Sequence, residues 1–136
     1  GSYAVLSGGL ILWGLEALTG DHVLHFAKQG ALWVKMQIVH MKDDANRRRA
    51  GLKKYEPAES HADDDMFDIM AEYDKRRSVI GAASAKGQGA TDSAAHAKEG
   101  ICRGHAYSVI SCKKVSGLRL LQLRNPWGFF EWKGDW

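Results

Sequence analysis

The chain has 136 residues, enough for one modest domain with a limited core. Hydrophobic content of 45%, charged content of 26% and a formal charge of +3 fit an ordinary globular protein. No apolar run reaches the roughly 18 residues of a membrane span. The basic groups "NRRR" (46–49) and "KRR" (75–77) each lie beside acidic residues, which reads as solvated faces and not as a nucleic-acid footprint. Cys102 and Cys112 do not make a disulfide framework and are expected to stay reduced, in keeping with a cytoplasmic, intracellular setting.

Residues 1–20, "GSYAVLSGGLILWGLEALTG", place glycines at turn-forming spacing around short apolar pieces. They lack the basic flank of a signal peptide. Residues 22–41 are mixed: "LWVKMQIVHM" is strand-like in content, yet Leu32, Met36 and Val39 also fit a helix face. Residues 42–65 read as a charged surface excursion, because Pro57 and the scarcity of large apolar residues argue against a core element. A helix is expected in "DDDMFDIMAEYDKRR", with Met66, Phe67, Met70 and Tyr73 on one stripe and Ile69 beside it. Asp63 to Asp65 at its start and Lys75 to Arg77 at its end suit the helix dipole, so the aspartates read as first-turn charges and not as a metal site. "SVIGAAS" (78–84) reads as a buried strand, and the small, polar, Gly-rich 85–104 as a mobile surface loop.

"HAYSVISCKKV" and "LRLLQLRN" form two strand-like runs around Ser116-Gly117 and predict a β-hairpin. Alternation puts His105, Tyr107, Val109 and Ser111 on one face of the first strand. It puts Arg119, Leu121, Leu123 and Asn125 on one face of the second. A two-residue loop would pair 115 with 118 and set Asn125 opposite Ser108, on the wrong face. A three-residue loop, Val115-Ser116-Gly117, would pair 114 with 118 and set Asn125 opposite Tyr107, diagonal to His105. Diagonal neighbours lie roughly 7–8 Å apart, within reach of two polar side chains. Such a pair is either a satisfied core histidine beside a turn-forming Asn-Pro, or two members of a Cys-His-Asn constellation. In the second, the His holds a thiolate and the Asn fixes the ring.

"GHAYSV", followed by "LLQLRNPWG" and "EWKGDW", closely resembles the second half of the calpain-type cysteine peptidase core, an α+β, papain-like fold. The opening, with Gly-Ser-Tyr, Leu-Ser-Gly-Gly and Thr-Gly, is similar to another segment of that family, which suggests that Gly1-Ser2 are native. The helix "MFDIMAEYDKRR" and the strand "SVIGAAS" stand where the family has a helix and a strand before its histidine. The resemblance spans the chain and is weak only through 21–62. It implies a partial catalytic domain, 1–20 ending the nucleophile-bearing half and 21–136 forming part of the His/Asn half. His105 would be the catalytic histidine and Asn125 its orienting partner. Trp127 would cover the Asn and pack between the halves. Calcium would draw the halves together, with Glu131 at a position that supplies an acidic ligand.

The family's nucleophile lies in a Gln…Gly-Asp-Cys-Trp block opening a helix, where the helix N-terminus lowers a thiol's pKa and nearby donors stabilise an oxyanion. No such block occurs in the 136 residues. Gln29-Gly30-Ala31-Leu32-Trp33 has no Cys and is taken as coincidence. Cys112 is expected on the opposite strand face from His105, and Cys102 in a loop, so neither is expected to substitute. His22, His25 and His40 lack the spacing of a metal set and are read as surface residues. The resemblance implies calcium-dependent endopeptidase cleavage of protein substrates, with the isolated fragment inactive until joined by the nucleophile-bearing half. A calpain-like scaffold that works by binding partners, or an unrelated β-rich domain, are the rival readings. The latter must explain "GHAYS", "RNPWG" and "EWKGDW" arising in this order by chance.

Overall fold

A computed structural model describes residues 11–42, 48–54, 58–84 and 101–129. The first element among the described residues is a helix, α1 (Ile11–Thr19), within the stretch whose glycines stood at turn-forming spacing. Leu, Glu and Ala in "ILWGLEALT" are strong helix formers and outweigh the single Gly14. The helix stops where Gly20 adopts a left-handed φ of 70° and its N–H reaches the Glu16 carbonyl at 2.9 Å. The Gly-Ser-Tyr and Leu-Ser-Gly-Gly pieces lie outside the described residues.

The ambiguous stretch after α1 forms β1 (His25–Gln29) and β2 (Leu32–Lys42), an antiparallel pair with Gln29 opposite Leu32. Gly30, at φ 60°, opens a two-residue turn of the kind that matches strand twist. Helical spacing of Leu32, Met36 and Val39 loses to this turn and to the β-branched and aromatic content around it. Two further strands, β3 (Arg48–Lys54) and β4 (Ser60–His61), occupy the stretch read as a charged excursion. Met36 pairs with His25 and Lys54, and Trp33 with Lys28 and His61. A strand residue has only two edges, so β3 and β4 both lie along the edge of β2 opposite β1. An edge strand is held by main-chain bonds on one side, and a sequence rich in Lys and Arg suits that place.

Helix α2 (Asp63–Lys75) follows the expected pattern, with Met66 and Phe67 buried. Each such side chain contributes about 1.5–3 kcal/mol by leaving water. Its C-terminus closes with Arg77 in the left-handed region at φ 58°, Arg77 N–H on Asp74 O and Ser78 N–H on Tyr73 O. The second sheet has the order β5 (Ile80–Ala83), β6 (Ala106–Val115), β7 (Leu118–Arg124), all antiparallel. Among the described residues β5 is an edge strand, with alternating exposure and not buried as expected. α1 rests on it at Gly81, where a Cβ would come within 2.7 Å of the Ile11 Cγ2 methyl. Of the region expected as a mobile loop, 85–100 lies outside the described residues, and Cys102 beyond it is buried.

The acidic side chains of α2 bind both sheets. Asp63 pairs with Lys28 of β1 and accepts the Trp33 indole N–H at 2.7 Å. Asp64 reaches Arg119 of β7 at 2.9 Å, Asp68 reaches Lys114 of β6 at 2.6 Å, and Asp74 accepts the Cys112 main-chain N–H at 2.9 Å. The hydrogen bond from Lys28, then that from Trp33, holds the Asp63 carboxyl below the usual carboxylate range. The Lys114 hydrogen bond does the same for Asp68. Depressed carboxyls give their full stabilisation above the ordinary value of about 4 and lose it as pH falls through the lower folded value. The melting temperature should therefore fall as pH is lowered below about 4. Asp63→Asn, which keeps an acceptor for Trp33 but removes the charge, should flatten that acid limb in a pH series of thermal melts. An unchanged limb would show that the ion pair is fully screened.

Candidate active site

His105 stands just before β6 and Asn125 just after β7, so the hairpin register decides whether they meet. The turn is the two-residue Ser116-Gly117, with both residues at positive φ (49° and 82°) and Val115 opposite Leu118. By itself that register sends Asn125 to the wrong face. It does not persist: Ser111 pairs with Gln122, but Val109 pairs with Leu123, and Ile110 is left as the extra residue of a β-bulge. Beyond the bulge Ser108 pairs with Arg124, and the next rung sets Asn125 opposite Tyr107. The shift expected from a three-residue turn is thus supplied within the strand.

Asn125 is completely buried and begins a turn written in "NPWG". The Gly128 N–H returns to the Asn125 carbonyl at 3.0 Å, with Pro126 at the position where its fixed φ favours the bend. The Asn side chain closes a second ring: its Oδ1 accepts the Trp127 N–H at 3.1 Å, and its Nδ2 donates to the Phe129 carbonyl at 2.8 Å. These two bonds fix which end of the amide is oxygen. Asn125 Oδ1 lies 2.9 Å from His105 Nε2. An acceptor there requires Nε2 to carry the proton, leaving Nδ1 as the basic nitrogen of the neutral ring.

His105 is buried, at 9% exposure, and its ring is held between aromatic rings. Tyr107 meets it edge-on, with centroids 4.9 Å apart and planes at 86°. Trp127 lies tilted against it at 4.1 Å. Trp127 and the neighbouring Phe129 remain 41% and 57% exposed, so one side of the histidine is roofed by aromatic surface open to water. Tyr107 also accepts the Cys102 N–H on its hydroxyl at 2.7 Å, tying the turn before His105 to β6. Sequence reasoning placed Tyr107 on the correct face without giving it this task. It missed the Phe129 carbonyl, which has no local signal because it acts through the main chain.

The other candidates fall elsewhere. Gln29-Gly30-Ala31-Leu32-Trp33 spans the β1–β2 turn and opens no helix. Cys112 sits beneath α2, where burial and then the Asp74 carboxylate push its thiol pKa up, the reverse of what a nucleophile needs. Cys102 is buried in the turn before β6, its carbonyl taken by Ser84 Oγ at 2.6 Å. His25 on β1 is half-buried and not simply a surface residue, and that burial pulls its pKa down. Among the described residues no three His, Cys, Asp or Glu side chains converge to hold a metal. Glu131 lies outside the described residues, and Asp63 and Asp64 are engaged by cations. No helix among the described residues is long and apolar enough to cross a membrane.

Among the described residues, two helices and two antiparallel sheets give an α+β architecture, consistent with a papain-like fold. The family model of the calpain family cysteine proteases matches residues 1–136, and the chain belongs to that family. It is 31% identical over 137 aligned positions to the calpain-type cysteine protease DEK1 of Arabidopsis thaliana, covering all of this chain and 5% of that protein. It is 36% identical over 83 residues to human Calpain-14, covering 58% of this chain and 11% of the relative. With Calpain-12 of Mus musculus it shares 45% identity over 67 residues, 45% of this chain and 8% of the relative. The chain therefore spans a small part of the curated relatives it matches. No solved structure matches it.

Truncating Asn125 to alanine strands the His105 Nε2–H and the Trp127 N–H together. The cost of buried donors left without acceptors is about 1–3 kcal/mol, which chemical denaturation of Asn125→Ala should register. A loss below about 0.5 kcal/mol would mean that water replaces the amide at no cost.

Proposed function

We propose that this chain supplies the histidine and asparagine of a calpain-type cysteine endopeptidase acting on protein substrates in the cytoplasm. The observation that carries the reading is the buried Nε2–H···Oδ1 bond, which sets one tautomer and leaves Nδ1 to exchange a proton with a thiol. The nucleophile comes from a separate segment bearing the family's Gly-Asp-Cys-Trp block. Cys102 and Cys112 do not take that role.

In this mechanism Nδ1 of His105 receives the thiol proton, giving a thiolate and an imidazolium. Asn125 Oδ1 accepts from Nε2–H and stabilises the charged ring without adding a full charge of its own. The thiolate attacks the scissile carbonyl, and the imidazolium returns the proton from Nδ1 to the departing amine as the C–N bond breaks. The neutral ring then takes a proton from water, whose oxygen attacks the thioester; as the C–S bond breaks, the imidazolium returns that proton to the departing thiolate and the acid product is released. Trp127 shields the His–Asn bond from water and packs toward the nucleophile-bearing half. Calcium dependence rests on family membership and on Glu131 as an acidic ligand. The described residues assemble no calcium site, and none of the steps above uses one.

The test is peptide cleavage by the full-length protein. His105→Ala should lower kcat by roughly 10³-fold or more, and Asn125→Ala by less, with the product of the single effects exceeding the double because the two act as a unit. Cleavage undiminished in His105→Ala would overturn the reading.

A further inference from the structure

The pairing of β5 with β6 sets Ala83 opposite Ala106, and one step further along sets Ser84 opposite His105. A regular rung at this point would exchange two main-chain hydrogen bonds. One is in place, from Ser84 N–H to the His105 carbonyl at 2.9 Å. In the other, the His105 N–H turns to the Ser84 hydroxyl at 3.0 Å. That hydroxyl points its proton at the Cys102 carbonyl at 2.6 Å, much nearer than the His105 carbonyl at 3.3 Å. One small side chain thus accepts from His105 and donates to the residue three places earlier. Between them runs the tight Arg103-Gly104 turn, with Gly104 at φ 61°.

His105 is consequently held at both ends. Asn125 grips the far nitrogen of the ring, and Ser84 grips the main chain from which the ring projects. The His105 main chain lies one residue outside β6. We propose that Ser84 is a positioning residue for His105: its hydroxyl sets the main-chain position that lets Nε2–H meet Asn125 while Nδ1 faces the reacting thiol. This rests on the peptidase reading above. The task needs one acceptor and one donor on a single short side chain, which serine and threonine have and alanine and valine lack.

The experiment uses the full-length protein carrying Ser84→Val, Ser84→Thr or His105→Ala, with kcat referred to the titrated concentration of reactive thiol. Ser84→Val should lower kcat by roughly 10- to 100-fold at unchanged KM, the scale expected when a reacting group is misplaced by about 1 Å. Ser84→Thr, which keeps both the acceptor and the donor, should restore kcat. A hydroxyl that only stabilises the fold would lower the melting temperature and leave kcat alone, and that result would overturn the inference. Ser84→Ala, which adds no bulk, is read the same way and decides the matter if the valine variant does not fold. An inactive His105→Ala beside a wild-type-like Ser84→Val would sink this inference alone. An active His105→Ala would sink the peptidase reading beneath it.

Discussion

The hydrogen bond between His105 Nε2 and Asn125 Oδ1 joins residues 20 positions apart, each just outside a strand, and it depends on a change of phase within the hairpin. Side chains on a strand alternate strictly, so an error of one residue in register moves Asn125 to the far face. The turn alone produces that error, and the bulge at Ile110 removes it. Everything placed on the asparagine follows from the corrected register: the NPWG turn, the Trp127 ring on the imidazole and the Phe129 carbonyl on the amide nitrogen. Because the amide is also held by the Trp127 N–H and the Phe129 carbonyl, main-chain geometry sets the histidine's tautomer.

Helix α2 gives that hairpin something to stand on. Its apolar stripe buries Met66 and Phe67, while its aspartates reach outward in two directions, to β1 and β2 and to β6 and β7. The exposed ion pairs contribute little energy individually. Their geometric effect is larger, since carboxylates along one rigid rod set the spacing of two sheets that do not pair with each other. The bond from the Cys112 N–H to Asp74 adds a main-chain anchor two residues from the bulge.

Helix α2 and the β6–β7 hairpin were legible in the sequence because each carries a clean period and its own stop signals. The face shared by His105 and Asn125 stayed open in the sequence, because it hung on the turn length, and the bulge that produces it left no signal. Ile110 looks like any other strand residue, and a bulge is decided by how two strands twist together. The strands β1 to β4 were obscured for a related reason. β2 carries apolar residues at spacings that serve a helix or a strand, and β3 is an edge strand whose charged sequence resembles a loop. The helix α1 was hidden by glycines on either side of it. Ser84 and Phe129 act through pairing and through a main-chain carbonyl, and such contacts leave no mark at the residue itself.

The compensation between turn and bulge constrains how this hairpin can change over evolution. A chain with a third residue in the turn and no bulge would present the same His–Asn pair. A chain with both, or with neither, would bury the asparagine side chain on the wrong side of the sheet. Insertions and deletions between His105 and Asn125 are thus tolerated only as matched pairs that preserve parity. A single indel there is a far more severe change than most substitutions, even in the exposed turn, where a length change would ordinarily be harmless.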